Sequence, residues 1–323
     1  MQSSQQQIIS HAESWLNSKR SVWLCTILKT WGSSPRPIGA MMACTIDGEL
    51  VGSISGGCIE EDFLEQLRDG SLKAQYDKES KPFTVKYGVT VEEQTRLKLP
   101  CGGQLHVLLE YIDSSEQNCE VFKRLAVDLE NHSKVSRLVD LANGAISAEA
   151  QSSEEAVVID GGQMSHSLSP MYRLLILGAG DVAKFVAEMA IALEYDVMLC
   201  DPRPNYLDNW YVPGVETTAQ LPDDVVRERF SNPYSGIIAL AHDPRVDDMA
   251  LMEALKTNAF YIGAMGSVKT SAARRERLPE LGLSFDEIDR LHAPIGFQIN
   301  SKTPAEIAIS VMAEITSVRY QQK

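Results

Sequence analysis

The run Arg173–Leu177 leads directly into Gly178-Ala179-Gly180-Asp181-Val182-Ala183, and this junction constrains the fold more than any other stretch of the chain. A buried strand, a G-x-G-x-x-A turn and a helix running to about Glu194 make the first βα unit of a dinucleotide-type sheet. The next strand, Asp196–Cys200, ends in Asp201, where such sheets carry an acid that hydrogen-bonds a ribose hydroxyl. The same acid disfavours a 2′-phosphate, although Arg203 close by blurs that distinction. Strand-like Gly236–Ala241 and Ala259–Ala264 alternate with helix-like 246–256 and 268–281. That alternation implies a parallel sheet with helices on both faces. Thr303-Pro304 and Glu306 open a last amphipathic helix, 303–319, with a cap, a first-turn proline and a capping-box acid. Residues 173–323 therefore read as a Rossmann-like, doubly wound α/β domain.

Strand carboxyl ends are where such sheets bind ligands. His242-Asp243 follows one of these strands and Met265-Gly266-Ser267 the next, so both are placed at the same crevice as Gly178, Gly180 and Asp201. His242-Asp243 reads equally well as a loop cap. The turn after Leu177 also serves merely to pack a helix against a strand, so nucleotide binding, NAD(P) included, stays open beside the fold. His292-Ala293-Pro294-Ile295-Gly296 is a rigid loop whose role the pattern leaves open. No G-x-S-x-G elbow is present, which argues against Ser-His-Asp hydrolysis.

The first half reads as α+β. A short helix at 8–19 precedes the buried strand Ser21–Thr30. Ala40–Ile46 and Glu49–Ser53 form a hairpin around Asp47-Gly48, and Gln104–Tyr111 closes the domain. Residues 71–99 read as short strands. Within this half, Gly56-Gly57-Cys58 begins a helix over Cys58–Arg68 whose Ile59, Phe63, Leu64 and Leu67 recur at helical spacing. Adjacent glycines let backbone approach a ligand, and N–H groups at a helix start hold anions. The same setting lowers a thiol's pKa, an effect that Glu60, Glu61 and Asp62 oppose. Pro100-Cys101-Gly102-Gly103 mirrors this stretch and suggests one site with two thiols. Arg36, between two prolines, offers a planar fork for a phosphate or serves as an exposed structural arginine. Cys25, Cys44 and Cys200 sit in apolar strand patterns and are expected in the core.

Domain boundaries follow at 1–112 and 173–323, with a connecting segment over 113–172. That segment carries a helix at 114–131, a hairpin around Asn143-Gly144 and a Ser/Gly-rich linker over 151–172. A net charge of −14, divided −5 and −9 between residues 1–150 and the remainder, leaves neither half basic and excludes a general nucleic-acid surface. No apolar run reaches the ~18–20 residues of a membrane span. The polar start Met1–Gln7 lacks the features of a signal peptide, so a cytoplasmic protein is expected.

Together these stretches resemble the XdhC/CoxI family, accessory factors of xanthine dehydrogenase and related molybdenum hydroxylases. The similarity rests on GSSPRPIGAMM, DGELVGSISGGCIEED and PCGGQLHVLLE in the first half. In the second it rests on LLILGAGDVAKFVAEMA, CDPRP, AHDPRVDD, YIGAMGS and LHAPIGFQINSKTPAEIAISVMAEI. The resemblance implies binding and protection of the molybdenum cofactor, as molybdopterin or a dinucleotide form. It also implies support of sulfuration with a cysteine desulfurase as sulfur source, and delivery to an apo molybdenum hydroxylase. Cys101 is the thiol implied to hold the cofactor, at its molybdenum; a homodimer is implied by family analogy alone. This fits the residue chemistry, since Arg36 and backbone N–H groups suit a phosphate and thiolate suits a soft metal. Such a carrier is expected to have no turnover of its own. The alternative is an NAD-dependent oxidoreductase using the Rossmann half and His242.

Overall fold

The structure is a computed structural model and describes residues 5–32, 36–90, 93, 103–151 and 153–321. The chain divides into two compact units, Met1–Pro170 and Met171–Lys323. Among the described residues, no helix is long and apolar enough to cross a membrane.

The first unit runs α1 (Gln5–Asn17), β1 (Val22–Trp31), β2 (Met41–Thr45), β3 (Leu50–Gly52), α2 (Cys58–Arg68), α3 (Ser71–Glu79), β4 (Phe83–Tyr87) and β5 (Gln104–Ile112). It continues with α4 (Glu116–Glu130), β6 (Val135–Asp140), β7 (Ile146–Ala150), β8 (Val157–Asp160) and β9 (Gln163–Leu168). The strands form two antiparallel sheets, ordered β3-β2-β1-β5-β4 and β7-β6-β9-β8. β1 explains the architecture. Its Val22 and Leu24 pack with Ile9 and Leu16 of α1 and Phe122 and Leu125 of α4. Its Trp23, Cys25 and Ile27 pack on the other side with Ile59 and Phe63 of α2 and Leu72 of α3. A strand covered on both faces has no polar face to show, hence its apolar run Val22–Leu28, interrupted only by Thr26.

Two expectations are corrected in this unit. Residues 71–79 are helical, not strands: Leu72 is buried, Tyr76 one turn on stacks edge-to-face on Trp23 at 6.0 Å, and Lys73 pairs with Asp77 one turn away. The linker expected over 151–172 holds β8 and β9, joined at Gly161-Gly162 and completing the second sheet. Met164, His166 and Leu168 alternate to its buried face, a period that the serines between them disguise.

A buried ion pair joins the two sheets. Arg137 of β6 donates Nη1 to both carboxylate oxygens of Glu110 on β5, at 2.7 and 2.9 Å, and Nη2 to Thr26 Oγ1 at 3.2 Å. Beside Arg137 across the β6–β9 ladder lies His166, wholly buried. Its Nε2–H donates to the Gly39 carbonyl at 3.0 Å and so anchors the end of the loop that carries Arg36. Burial first, then the Arg137 charge, push the His166 pKa down to about 3 and keep the ring neutral.

The second unit runs β10 (Arg173–Leu177), α5 (Asp181–Ala192), β11 (Asp196–Cys200), α6 (Pro204–Leu207), β12 (Glu216–Thr218), α7 (Pro222–Arg229) and β13 (Ser235–Ala239). Then follow α8 (Pro244–Ala254), β14 (Tyr261–Ala264), α9 (Val268–Arg277), a 3-10 turn (Leu278–Leu281), α10 (Phe285–Asp289), β15 (Leu291–His292) and α11 (Pro304–Gln321). All pairings are parallel, in the order β12-β11-β10-β13-β14-β15. This is the doubly wound α/β sheet expected. Val186, Ala190, Val311 and Ile315 of α5 and α11 cover one face, and Val226, Ala250 and Leu251 of α7 and α8 cover the other. Strand order reverses between β10 and β13, which makes the carboxyl edge of these two strands the switch point where sheets of this kind bind ligands.

Candidate functional site

Each unit presents its own set of candidate residues. In the first, β3 leads into the turn 53–57 and α2 starts at Cys58. The turn closes around a side chain of its own helix. Glu60 Oε1 accepts from Ser53 Oγ at 2.6 Å and from the N–H groups of Ile54, Ser55 and Gly56 at 2.8, 2.9 and 3.3 Å. Its Oε2 accepts from Gly57 N at 2.9 Å and from the Ser55 hydroxyl. Glu60 is 8% exposed, and these donors outweigh its desolvation and bring its pKa down to about 2.

This corrects the expectation that the glycine loop offers its N–H groups to a ligand's anion: at residues 54–57 they are spent on Glu60. Gly56 and Gly57 have φ of +87° and +137°, and a Cβ at either would meet nothing within 4 Å. They are glycine because the backbone must curl left-handed around the carboxylate, and the side they leave open faces free space. Cys58, the first residue of α2, is half-buried and in no disulfide. The sequence carried a signal for Glu60: an acid three residues after Gly57, at capping-box spacing.

Arg36 is half-buried in the loop anchored at Gly39. Gly103 is buried just before β5. Cys101 and Gly102 lie outside the described residues, so the two-thiol site has one thiol in view. Cys25, Cys44 and Cys200 are buried, as expected; desolvation pushes the Cys44 and Cys200 pKa values up to about 12, which makes both inert thiols.

In the second unit the structure brings Gly178, Gly180, Asp201 and His242 to the carboxyl edge of neighbouring strands β11, β10 and β13. Gly178 has φ +98°, and a Cβ there would lie 2.4 Å from Ala241 Cα; the turns after β10 and β13 touch at this point. Gly180 caps α5 with its Cβ direction open. His242 is exposed and left-handed at φ +56°, and the following Asp243 caps α8 through Arg245 N at 3.0 Å.

Asp201 does not stand ready for a ribose. It is fully buried, and its Oδ1 accepts from Arg203 N at 3.0 Å and Arg203 Nε at 2.8 Å. Its Oδ2 accepts from Ala179 N at 3.0 Å and Arg203 Nη2 at 2.7 Å. Four donors saturate the carboxylate. They hold its pKa low in spite of burial.

The sequence missed two networks here. Behind the crevice, Asp247 accepts Ala241 N at 3.1 Å, and buried Arg274 donates Nε to Asp248 Oδ1 at 2.8 Å and Nη1 to Met265 O at 3.3 Å. Ser267, expected to line the crevice, caps α9 through Thr270 N at 3.1 Å. The His292–Gly296 loop packs on α11: His292 stacks on Tyr261 at 4.6 Å and donates Nδ1 to Glu314 Oε1 at 3.1 Å, while Gly296 N donates to Glu314 Oε2 at 2.7 Å. Among the described residues no group of three or more His, Cys, Asp and Glu side chains is arranged to hold a metal ion.

Comparison with known proteins separates the same two halves. Residues 15–88 match the XdhC and CoxI family, and residues 174–315 match the XdhC Rossmann domain. The chain belongs to the XdhC and CoxI family. Among its relatives, the molybdenum cofactor insertion chaperone PaoD of Escherichia coli is 27% identical, over 98% of this chain and 89% of that one. A Bacillus subtilis protein named as a probable xanthine dehydrogenase subunit is 24% identical, over 94% and 95% of the two chains. A crystal structure described as a xanthine dehydrogenase from Bacillus halodurans superposes with a TM-score of 0.72 at 26% identity, covering 98% of this family member and 96% of that chain.

Proposed function

We propose that this XdhC/CoxI-family chain is a molybdenum cofactor carrier: it binds the cofactor, protects it, supports its sulfuration and delivers it to an apo molybdenum hydroxylase. The observation that carries this reading is similarity along almost the whole chain, both units included, to a relative named as a molybdenum cofactor insertion chaperone. The first unit supplies chemistry that suits the cargo. Cys58, on a glycine turn whose outer side is open, offers a soft donor, and Cys101 a second. With the N–H groups of 54–57 occupied by Glu60, Arg36 is left as the candidate for the cofactor's phosphate. A cysteine desulfurase is the natural sulfur source for such a carrier.

The test is purification from a cofactor-producing host, followed by molybdenum and pterin analysis and by activation of an apo-hydroxylase. Activation should rise in proportion to loaded carrier and stop at one equivalent per site. Cys101→Ala should lower pterin occupancy strongly and Cys58→Ala less so. Equal occupancy in wild type and both variants sinks the thiol roles; steady nicotinamide turnover with a small substrate and no partner enzyme sinks the carrier reading.

A further inference from the structure

We infer that the crevice of the second unit binds a dinucleotide bearing a phosphate on its adenosine ribose, of the NADP(H) class, and discriminates against NAD(H). The discriminating group is Arg203. A plain ribose diol is held in this fold by an acid after the second strand that accepts from both hydroxyls. The corresponding acid is Asp201, and it has nothing left to accept with. Arg203 N, Nε and Nη2 and Ala179 N already fill its two oxygens. It is also 0% exposed, so a ribose would meet what covers it instead.

What covers it is the Arg203 guanidinium. Because Nη2 of Arg203 and N of Ala179 donate to the same oxygen of Asp201, the guanidinium lies against the Gly178–Gly180 turn. It is clamped by the carboxylate along one edge and lies over the Tyr206 ring, 3.9 Å from its centroid. Two of its five N–H groups are used on Asp201, and the side chain keeps 28% of its surface open. The remaining N–H groups are a rigid fork of the kind that takes a phosphate by paired hydrogen bonds. Nearby Asp243 also feels the Arg203 charge, but its direct partner is Arg245 at 2.8 Å, and Asp181 at the start of α5 is solvent-exposed. The arrangement inverts the usual logic of the site. The acid that elsewhere reads the diol here serves to hold the residue that reads the phosphate.

This reading is independent of any role in carrying the molybdenum cofactor and is tested on the full chain free of cofactor. Titration with NADPH and NADH should show NADPH binding at least about tenfold tighter, the order of one charge-assisted pair. In competition, 2′,5′-ADP should displace NADPH and 5′-ADP should do so far less. Arg203→Ala should cut the preference to below about threefold, with Arg203→Lys intermediate because a point charge replaces the fork. NADH binding as tightly as NADPH, 5′-ADP competing as well as 2′,5′-ADP, or neither dinucleotide binding at millimolar concentration would each overturn the proposal. So would an undiminished preference in a folded Arg203→Ala. The wild-type titrations decide the matter even if that variant does not fold.

Discussion

The N–H of Gly57 donates to the carboxylate of Glu60 at 2.9 Å, within the first turn of the helix it opens. The relationship makes Glu60 the internal anion of a glycine loop that otherwise looks built for an external one. It leaves Cys58, between the two residues, held in place by both.

Replacing Glu60 should loosen this turn. Glu60→Gln keeps one acceptor oxygen but turns an amide N–H2 toward donors, so a loss of about 2–3 kcal/mol is expected in urea unfolding. The loss should depend on pH. With the folded pKa near 2, below its ordinary value of 4.5, ionised Glu60 stabilises fully above pH 4.5 and loses this as pH falls toward 2. The gap between wild type and Glu60→Gln should therefore close on acidification. A gap that stays constant down to the acid limit would show the carboxylate charge to be irrelevant to the turn.

His166 gives a second acid sensitivity at milder pH. Folded, its pKa is about 3 against an ordinary 6.5, so on acidification the unfolded chain takes up the proton first and stability falls from pH 6.5 downward. Its share reaches about 3 kcal/mol at pH 4. His166→Gln retains a donor for the Gly39 carbonyl and removes the titration. The variant's stability should therefore decline less than that of wild type between pH 6.5 and 4, measured by denaturant midpoint. Parallel curves would contradict a neutral, buried His166.

Much of the second unit was legible because its elements obey one rule each. Strand, glycine turn and helix follow one another, and the turns after β10 and β13 fall where the parallel sheet demands. The first unit was legible where a strand is buried on both faces, as Val22–Trp31 is, and where hydrophobic spacing matches a helix, as in Cys58–Arg68. It was misread at 71–79 and 157–168, where polar residues outnumber the few that face the core. The candidate sites were half legible. Glycines and cysteines mark the turns and capping-box spacing flags Glu60, but sequence does not show that Arg203 folds back onto Asp201, the acid meant, by motif, for a ribose. That depends on side-chain geometry, which no spacing rule carries.

The Arg137–Glu110 pair should behave as a buried ion pair joining two sheets. Glu110→Gln leaves the guanidinium charged with its side chain at 0% exposure, and a loss of about 3–5 kcal/mol is expected. Arg137→Met combined with Glu110→Leu removes both charges and should lose less than either single change. Chemical denaturation of wild type, Arg137→Met, Glu110→Leu and the double variant gives the coupling directly. Additive losses would mean that the two side chains do not act as a unit.

Gly178 and Gly180 should separate in experiment although the motif treats them alike. At Gly178, a Cβ would sit 2.4 Å from Ala241 Cα and 2.6 Å from Ala241 N, on a backbone at φ +98°. The turns after β10 and β13 would have to part, so Gly178→Ala should lose more than about 2 kcal/mol, combining overpacking with left-handed strain. At Gly180 a Cβ meets nothing within 4 Å and φ is −99°, which any residue adopts. Gly180→Ala should then change stability by less than about 1 kcal/mol. Among the described residues nothing requires glycine at 180, and the dinucleotide inferred above supplies a reason for it, since its phosphates would approach the backbone there. Dinucleotide affinity should accordingly fall at least about tenfold in Gly180→Ala while its melting curve stays close to wild type. If Gly180→Ala binds NADPH as tightly as wild type, the crevice at α5 is not where the phosphates lie.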